Sequence, residues 1–337
     1  GELEAPNMTE QVVNPLLSIV TTSYSEKRLK DIFKLLDSIS AQTYPNIEIT
    51  LVVDHLEELQ AKIKEYAQKH SKMKVKILLN QGEAGVNIAR NIGIKASSGE
   101  IIGVVDDDVI LSPDWAEEIV RTHMEDSSIV AVTGPAIPLW EDESMSWFPQ
   151  EFYWMWGCTV WDWNEIREIR NVGGMNCSFK REALFAAGLY HPDIGPKVGE
   201  EVIKWFYPSG EEVELSLKIR ATTKKRIVYN PKVKVHHKVS KERFNLGFMI
   251  KRAFRFGYTK QYIKHTFQND FPHEKVLALE FQHLRHILFK STFNLIRGTF
   301  KHPVTAWRQF LVIIMGVFFT GLGYAVYIFK PYKLKTD

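Results

Sequence analysis

Residues 101–115 read IIGVVDDDVILSPDW, and the reading of this stretch decides the fold. Ile101, Ile102, Gly103, Val104 and Val105 form a short apolar run, the length and composition of a buried strand. It ends in three adjacent carboxylates, Asp106, Asp107 and Asp108. Like charges crowded at a half-buried strand tip repel one another and lose hydration, so they need a compensating cation. A divalent metal ion is the leading expectation.

Outward from this strand the pattern alternates. Leu16 to Thr22 is an apolar, β-branched run that predicts a first strand, followed by a polar loop and a helix over Leu29 to Ala41. A turn at TYPN leads to a strand ending at Asp54, then a helix (Glu57 to His70), a strand (Val75 to Leu79) and a helix (Val86 to Ala96). Such alternation implies right-handed crossovers and a parallel sheet with helices on both faces. Ligands bind beyond the carboxyl ends of the strands in sheets of this kind. One crevice is therefore expected to collect Thr21, Thr22, Tyr24, Asp54 and Asp106 to Asp108. Taken singly, Asp54 also fits a helix cap and the threonines fit turn residues.

The 337 residues, 45% hydrophobic and 12% aromatic, suit a globular protein with one large domain and an appendage. Cys158 and Cys177 have no metal-ligand spacing and are too few for a disulfide framework, which favours a reducing compartment. Gly1 to Asn14 is polar and carries no signal-peptide core. Charge is divided unevenly: Leu215 to Gln309 holds 21 Lys and Arg against 4 Asp and Glu, so the preceding body is acidic. A basic third of this kind marks an anionic partner.

Phe310 to Phe329 contains 20 residues without a formal charge, and as a helix it would measure about 30 Å, a hydrocarbon core's thickness. One transmembrane helix is expected at 305–330, with a tail at 331–337. Trp307, Tyr324 and Tyr327 lie near its ends, and Lys330, Lys333 and Lys335 follow it, as interfacial anchors do. Upstream, residues 239–304 mix aromatic and basic side chains. Arg243 to Phe267 predicts a helix lying in the headgroup layer, and Val276 to Phe300 a second stretch too charged to span. A membrane is thus the expected partner; no nucleic-acid recognition motif accompanies the basicity. Basic residues are denser before the span than after it, which places the catalytic body on the cytoplasmic side of the cell membrane.

The blocks SIVTTSYSE, GEAGVNIARNIGIKASSGEIIGVVDDDV, GGMNCSFKRE and GEEVELSLKIR, in that order and with Asp54 between the first two, resemble glycosyltransferase family 2. The resemblance spans about two thirds of the chain. It implies a GT-A domain over 16–238, a Rossmann-like α/β fold, after an N-terminal tail at 1–15. It also implies inverting sugar transfer from a nucleotide-sugar, with Mn²⁺ or Mg²⁺ as cofactor.

Residue by residue, the resemblance assigns Thr21, Thr22, Tyr24, Asp54, Arg90, Asp106 and Asp107 to the nucleotide-sugar pocket. Asp106 and Asp108 match the ends of the D-x-D motif, with Asp108 on the metal, and His236 or His237 completes its coordination. A hard cation there neutralises charge developing on the departing diphosphate. Glu211 and Glu212 match the acidic pair that holds the general base, with Glu212 in the base position and Glu211 its neighbour. A solvated helix N-terminus is the other reading of the pair; Glu200 and Glu201 do not continue the family pattern. A carboxylate base favours a hydroxyl acceptor, because a lipid phosphate is already ionised.

By resemblance Asn176 lies at the acceptor end. The stretch from Leu139 to Trp163 holds six tryptophans, among them Trp154 and Trp156, whose faces suit stacking on the acceptor sugar, packing in a core or contact with lipid. The chain has no Gln-x-x-Arg-Trp motif of processive synthases. GEEVEL and VHHKVSKERF with RAFRFGYTK look most like archaeal transferases acting on dolichyl-linked glycans for protein N-glycosylation, some of which move glucuronate from UDP. Single transfer onto a lipid-linked sugar is the expected activity, and direct transfer onto polyprenyl phosphate is the alternative. A haloacid-dehalogenase-type phosphatase also ends a strand in Asp-x-Asp, and a non-catalytic membrane scaffold is the third reading. The sequence carries no signal for oligomeric state.

Overall fold

A computed structural model describes residues 14–70, 74–195, 205, 206, 208–269, 284, 285, 287, 298 and 301–332. The expected alternation is present: β1 (Leu17–Ser23), α1 (Leu29–Ser40), β2 (Ile47–Asp54), α2 (Glu57–Lys69), β3 (Val75–Asn80), α3 (Val86–Ala96) and β4 (Ile101–Val105). The chain continues through β5 (Val109–Leu111), α4 (Trp115–Glu125), β6 (Ile129–Thr133) and β7 (Ala136–Trp140). Then follow β8 (Arg167–Glu168), β9 (Asn176–Lys180), α5 (Arg181–Ala186), α6 (Glu211–Thr223), β10 (Arg226–Tyr229) and β11 (Val235–Val239). Two long helices, α7 (Leu246–Phe267) and α8 (Pro303–Phe329), end the described chain.

The main sheet has eight strands in the order β3-β2-β1-β4-β9-β6-β10-β8. Its first four strands are parallel, but β9 runs antiparallel between β4 and β6, and β8 antiparallel on β10. The sheet is therefore mixed beyond β4. A second sheet, β5-β11-β7, which the alternation does not predict, folds the segment after the aspartates back over the crevice.

Alternate residues of each strand supply two cores. Leu17 and Ile19 pack under α1, α2 and α4, whereas Val20, Ile102 and Val104 pack under α3, α5 and α6. Leu35, Leu36, Leu59 and Trp115 fill the first core; Phe179, Leu184, Leu215 and Ile219 fill the second. Helices on both faces fix the strand ends, and so the crevice.

A third cluster joins Phe148, Phe152, Met155 and Trp156 to Met249, Ala253, Val312 and Ile313 of α7 and α8. Most of the tryptophan-rich stretch is thus packing. Helix α7 is held between α6 and α8, where Phe254, Tyr258 and Ile263 meet Val213, Leu217 and Tyr327. Its buried residues occupy more than one stripe.

Gly257 explains how closely α7 and α8 approach: a Cβ there would sit 1.8 Å from the Thr320 carbonyl oxygen. Helix α8 is long and apolar enough to cross a membrane, at 27 residues. One face packs inward through Ala306, Ile313, Gly316 and Gly323, while Trp307, Leu311, Ile314, Phe318 and Phe329 are exposed. Of Val276 to Phe300 only Leu284, Arg285, Ile287 and Gly298 are described, and Glu200 and Glu201 lie outside the described residues.

Candidate active site

The carboxyl ends of β1, β2 and β4 open on a cavity of about 2200 Å³ that extends past α6 to α7 and α8. Thr22, Tyr24, Asp54, Arg90, Asp106, Asp107, Asp108, Glu211, Glu212 and His237 all line it. Thr21, the neighbour of Thr22 on β1, is buried and does not line the cavity, as the two-residue strand period requires.

The aspartates have counter-charges from the chain itself. Arg28, just ahead of α1, donates to Asp107 Oδ1 at 2.7 Å and also pairs with Asp108 Oδ2. Arg90 Nη2 lies 3.0 Å from Asp106, and His237 Nε2 lies 3.3 Å from Asp108 Oδ1. Burial opposes each of these cations, but the facing carboxylates outweigh it: Arg28 and Arg90 are held above the ordinary arginine range and His237 is raised to about 10. Asp108 is held well below the usual carboxylate range by His237 and Arg28 despite its burial. Burial instead pushes Asp107 up, with Asp108 adding to the effect. Arg28 gives no motif signal in the sequence; only the turn that starts α1 brings it over the aspartates.

His236 and His237 are separated by the strand period. His237 is buried against Asp108, and His236 on β11 points to the other face. Asp54 is buried, with Oδ1 accepting from Asn80 at 2.8 Å and Oδ2 accepting from the Gly85 N–H at 3.0 Å, just ahead of α3. It therefore shapes the loop before α3 and borders the cavity at once.

Residues this chain could offer a cation are limited. Among the described residues no group of three or more His, Cys, Asp and Glu side chains could hold a metal ion. Asp107 Oδ2 is nevertheless buried and accepts no hydrogen bond, and Asp108 Oδ1 has only His237 Nε2 at 3.3 Å. Carboxylate oxygens so sparsely satisfied suit an oxygen-preferring cation whose other ligands come from a bound phosphate group. The donor set thus fits a divalent ion only together with its substrate.

Gly210 sets the acidic pair. Its φ of +103° is a conformation that favours glycine, and it turns the chain into α6 so that Glu211 and Glu212 start the helix. Glu211 is fixed: Oε1 lies 3.3 Å from Arg90, and Oε2 accepts from the Gly210 N–H at 3.1 Å. Glu212 makes no side-chain hydrogen bond with any described residue and borders the cavity beside Gly174. Burial, followed by repulsion from Glu211, raises its carboxyl to about 7.

Asn176 is buried and its side chain is fully engaged: Oδ1 accepts from Trp115 Nε1, and Nδ2 donates to the Pro135 and Val233 carbonyls. It joins β9 to the residues just ahead of β7 and β11, and it is also among the residues that line the cavity. Trp156 is packed between Phe244 and Phe248 within the aromatic core. Trp154 stacks on Phe256 of α7 at 4.1 Å and borders the cavity. Trp161 and Trp163 stack on each other at 4.7 Å along the same wall.

Solved structures share this fold. A mannosyltransferase from Pyrobaculum calidifontis, solved with GDP-Man and Mn²⁺, matches with a TM-score of 0.57 at 18% identity, over 92% of this chain and 88% of that one. GalNAc-T7, solved with UDP, GalNAc and Mn²⁺, matches with a TM-score of 0.50 at 20% identity, over 74% of this chain and 50% of that one. By sequence, a glucosyl-dolichyl phosphate glucuronosyltransferase of Haloferax volcanii is 27% identical over 317 residues, which is 94% of this chain and 97% of that protein. Residues 18–184 match glycosyl transferase family 2. The chain accordingly carries a domain of that family over residues 18–184, has the GT-A fold, and is a glycosyltransferase.

Proposed function

We propose that the chain transfers a hexosyl group, with inversion, from a nucleoside-diphosphate sugar to a hydroxyl of a dolichyl-phosphate-linked sugar. The observation that carries this reading is that one cavity joins the aspartates, the unpaired Glu212 and the wall formed by α8. The aspartate end suits the nucleotide. The α8 end suits a lipid-linked acceptor.

Glu212 takes the proton from the acceptor hydroxyl, which displaces the nucleoside diphosphate in line. A base is most effective with a pKa near the working pH, and Glu212 at about 7 satisfies this. Glu211, held by Arg90, keeps its neighbour's proton affinity high. Tyr24 and Thr22 border the nucleotide, and Asp106 and Asp107 orient it together with Arg28. Asp108 and His237 would hold Mn²⁺ or Mg²⁺, which when bound supplies charge neutralisation to the diphosphate.

A hydroxyl acceptor is favoured over direct transfer onto polyprenyl phosphate, since an ionised phosphate needs no base. The Haloferax volcanii relative, a glucuronosyltransferase on glucosyl-dolichyl phosphate, supports a lipid-linked sugar as acceptor and UDP-glucuronate as a donor to try first. The exposed apolar face of α8 anchors the protein to the membrane, with the catalytic body on the cytoplasmic side. The family assignment sets aside the phosphatase and scaffold readings.

Calorimetric titration of the detergent-solubilised chain with UDP and GDP, with Mn²⁺ and then chelator, tests the donor site. Metal-dependent binding of one nucleotide, lost in Asp108→Asn, is expected. Binding of neither nucleotide under any condition would overturn the reading.

A further inference from the structure

Among the described residues, two arginines that line the cavity, Arg243 and Arg252, make no side-chain hydrogen bond or ion pair, and Arg243 acts on Asp108 and Tyr24 at the aspartate end. Arg28, Arg90 and His237 each face a carboxylate, whereas Arg252 makes no hydrogen bond or ion pair with any described residue. It lies on the face of α7 that lines the cavity, with Arg255, Phe256, Thr259 and Lys260 at three- and four-residue spacing from one another. Burial lowers the proton affinity of its guanidinium, and the charges it senses are Glu212, Glu211 and Arg243. A half-satisfied buried cation is costly unless a ligand completes it. The surroundings specify which ligand.

Arg252 and Glu212 line the same cavity, and Glu212 and Glu211 are the carboxylates that act on Arg252. None of the three aspartates is among the charges acting on it, and the aspartate side already has two arginines and a histidine. Gly316, Val317, Thr320, Gly321 and Tyr324 of α8 line the same cavity, a mostly apolar wall that is open at Gly321. An acceptor that presents a hydroxyl to Glu212 in this cavity thus meets a cation and an apolar wall as well.

We propose that Arg252 receives the phosphate joining the acceptor sugar to its lipid, and that the wall of Gly316, Val317 and Gly321 takes the first segment of that lipid. This deepens the transfer reading above and rests on it. A planar guanidinium suits the task, because two of its N–H groups can address two phosphate oxygens together. The acceptor is thereby held at three points: hydroxyl, phosphate and chain.

The test uses the full chain in neutral detergent and three probes: farnesyl phosphate, uncharged farnesol, and UDP with Mn²⁺. Binding is followed by tryptophan fluorescence in the unsubstituted chain, Arg252→Gln and Arg252→Lys. Arg252→Gln is expected to weaken farnesyl phosphate by about tenfold or more, the scale of one charge-assisted hydrogen bond. Farnesol and UDP affinities should stay within about twofold, and Arg252→Lys should recover part of the loss. Unchanged farnesyl phosphate affinity in Arg252→Gln would overturn the proposal while leaving the transfer reading intact. A loss of UDP affinity equal to the loss of farnesyl phosphate would also overturn it, placing Arg252 on the donor diphosphate. If the unsubstituted chain binds neither UDP nor GDP, the transfer reading itself falls and the proposal with it.

Discussion

Arg90 and Glu211 lie 3.3 Å apart, and the same guanidinium reaches Asp106 at 3.0 Å. One buried arginine from α3 thus ties the end of β4 to the start of α6. It links the aspartate end of the cavity to the Glu212 end. Arg90→Gln leaves Glu211 buried and unpaired, so unfolding free energy should fall by about 3 kcal/mol or more, as for other broken buried pairs. Denaturation midpoints that match the unsubstituted chain would refute the bridging role.

Arg28 is the counter-ion shared by Asp107 and Asp108. In Arg28→Ala the two carboxylates face each other with only His237 and Arg243 to offset them. The melting temperature in chelator should drop by several degrees, and Mn²⁺ should recover most of the loss. Equal melting temperatures of variant and unsubstituted chain in chelator would contradict this.

Gly257 and Gly323 allow α7 and α8 to touch: a Cβ at Gly323 would lie 1.9 Å from the Phe254 carbonyl oxygen. Gly257→Ala should therefore separate the helices and destabilise the protein by about 1–3 kcal/mol, the usual cost of overpacking. Nucleotide affinity should survive, since the aspartate end is carried by β1, β2 and β4. Acceptor-dependent turnover should fall. A variant with unaltered stability and turnover would show that the helix contact does not matter.

Transfer should rise with pH through about 7, the value to which burial raises Glu212. The sign follows from the role: below that pH the carboxyl holds its proton and takes none from the acceptor. A rate measured at saturating donor that stays flat from pH 5.5 to 8 would remove Glu212 from the step.

Much of the fold was legible because its first half obeys local rules. The strand from Ile101 to Val105 and the helix from Leu29 announce themselves by composition and spacing, and the rule of carboxyl ends gathers Asp54 and Asp106 to Asp108 without the structure. What stayed hidden depends on long-range pairing. The antiparallel β9 carries no directional mark, so Asn176 gave no sign that its amide would join three backbone segments. The choice between His236 and His237 needed the register of β11 on β5. Arg28 and Arg252 were indistinguishable from solvated surface charges until tertiary packing turned them into the cavity, and α7 looked like a surface helix because its closest neighbour, α8, lies far along the chain.

In the proposed mechanism Glu212 is the base and the aspartate end is a separate donor site. Single-turnover transfer and nucleotide affinity, measured together in Glu212→Gln, separate the two roles. Transfer should fall by about 10²–10⁴ while nucleotide affinity stays within about twofold. Transfer at the unsubstituted rate, with nucleotide still bound, would contradict it.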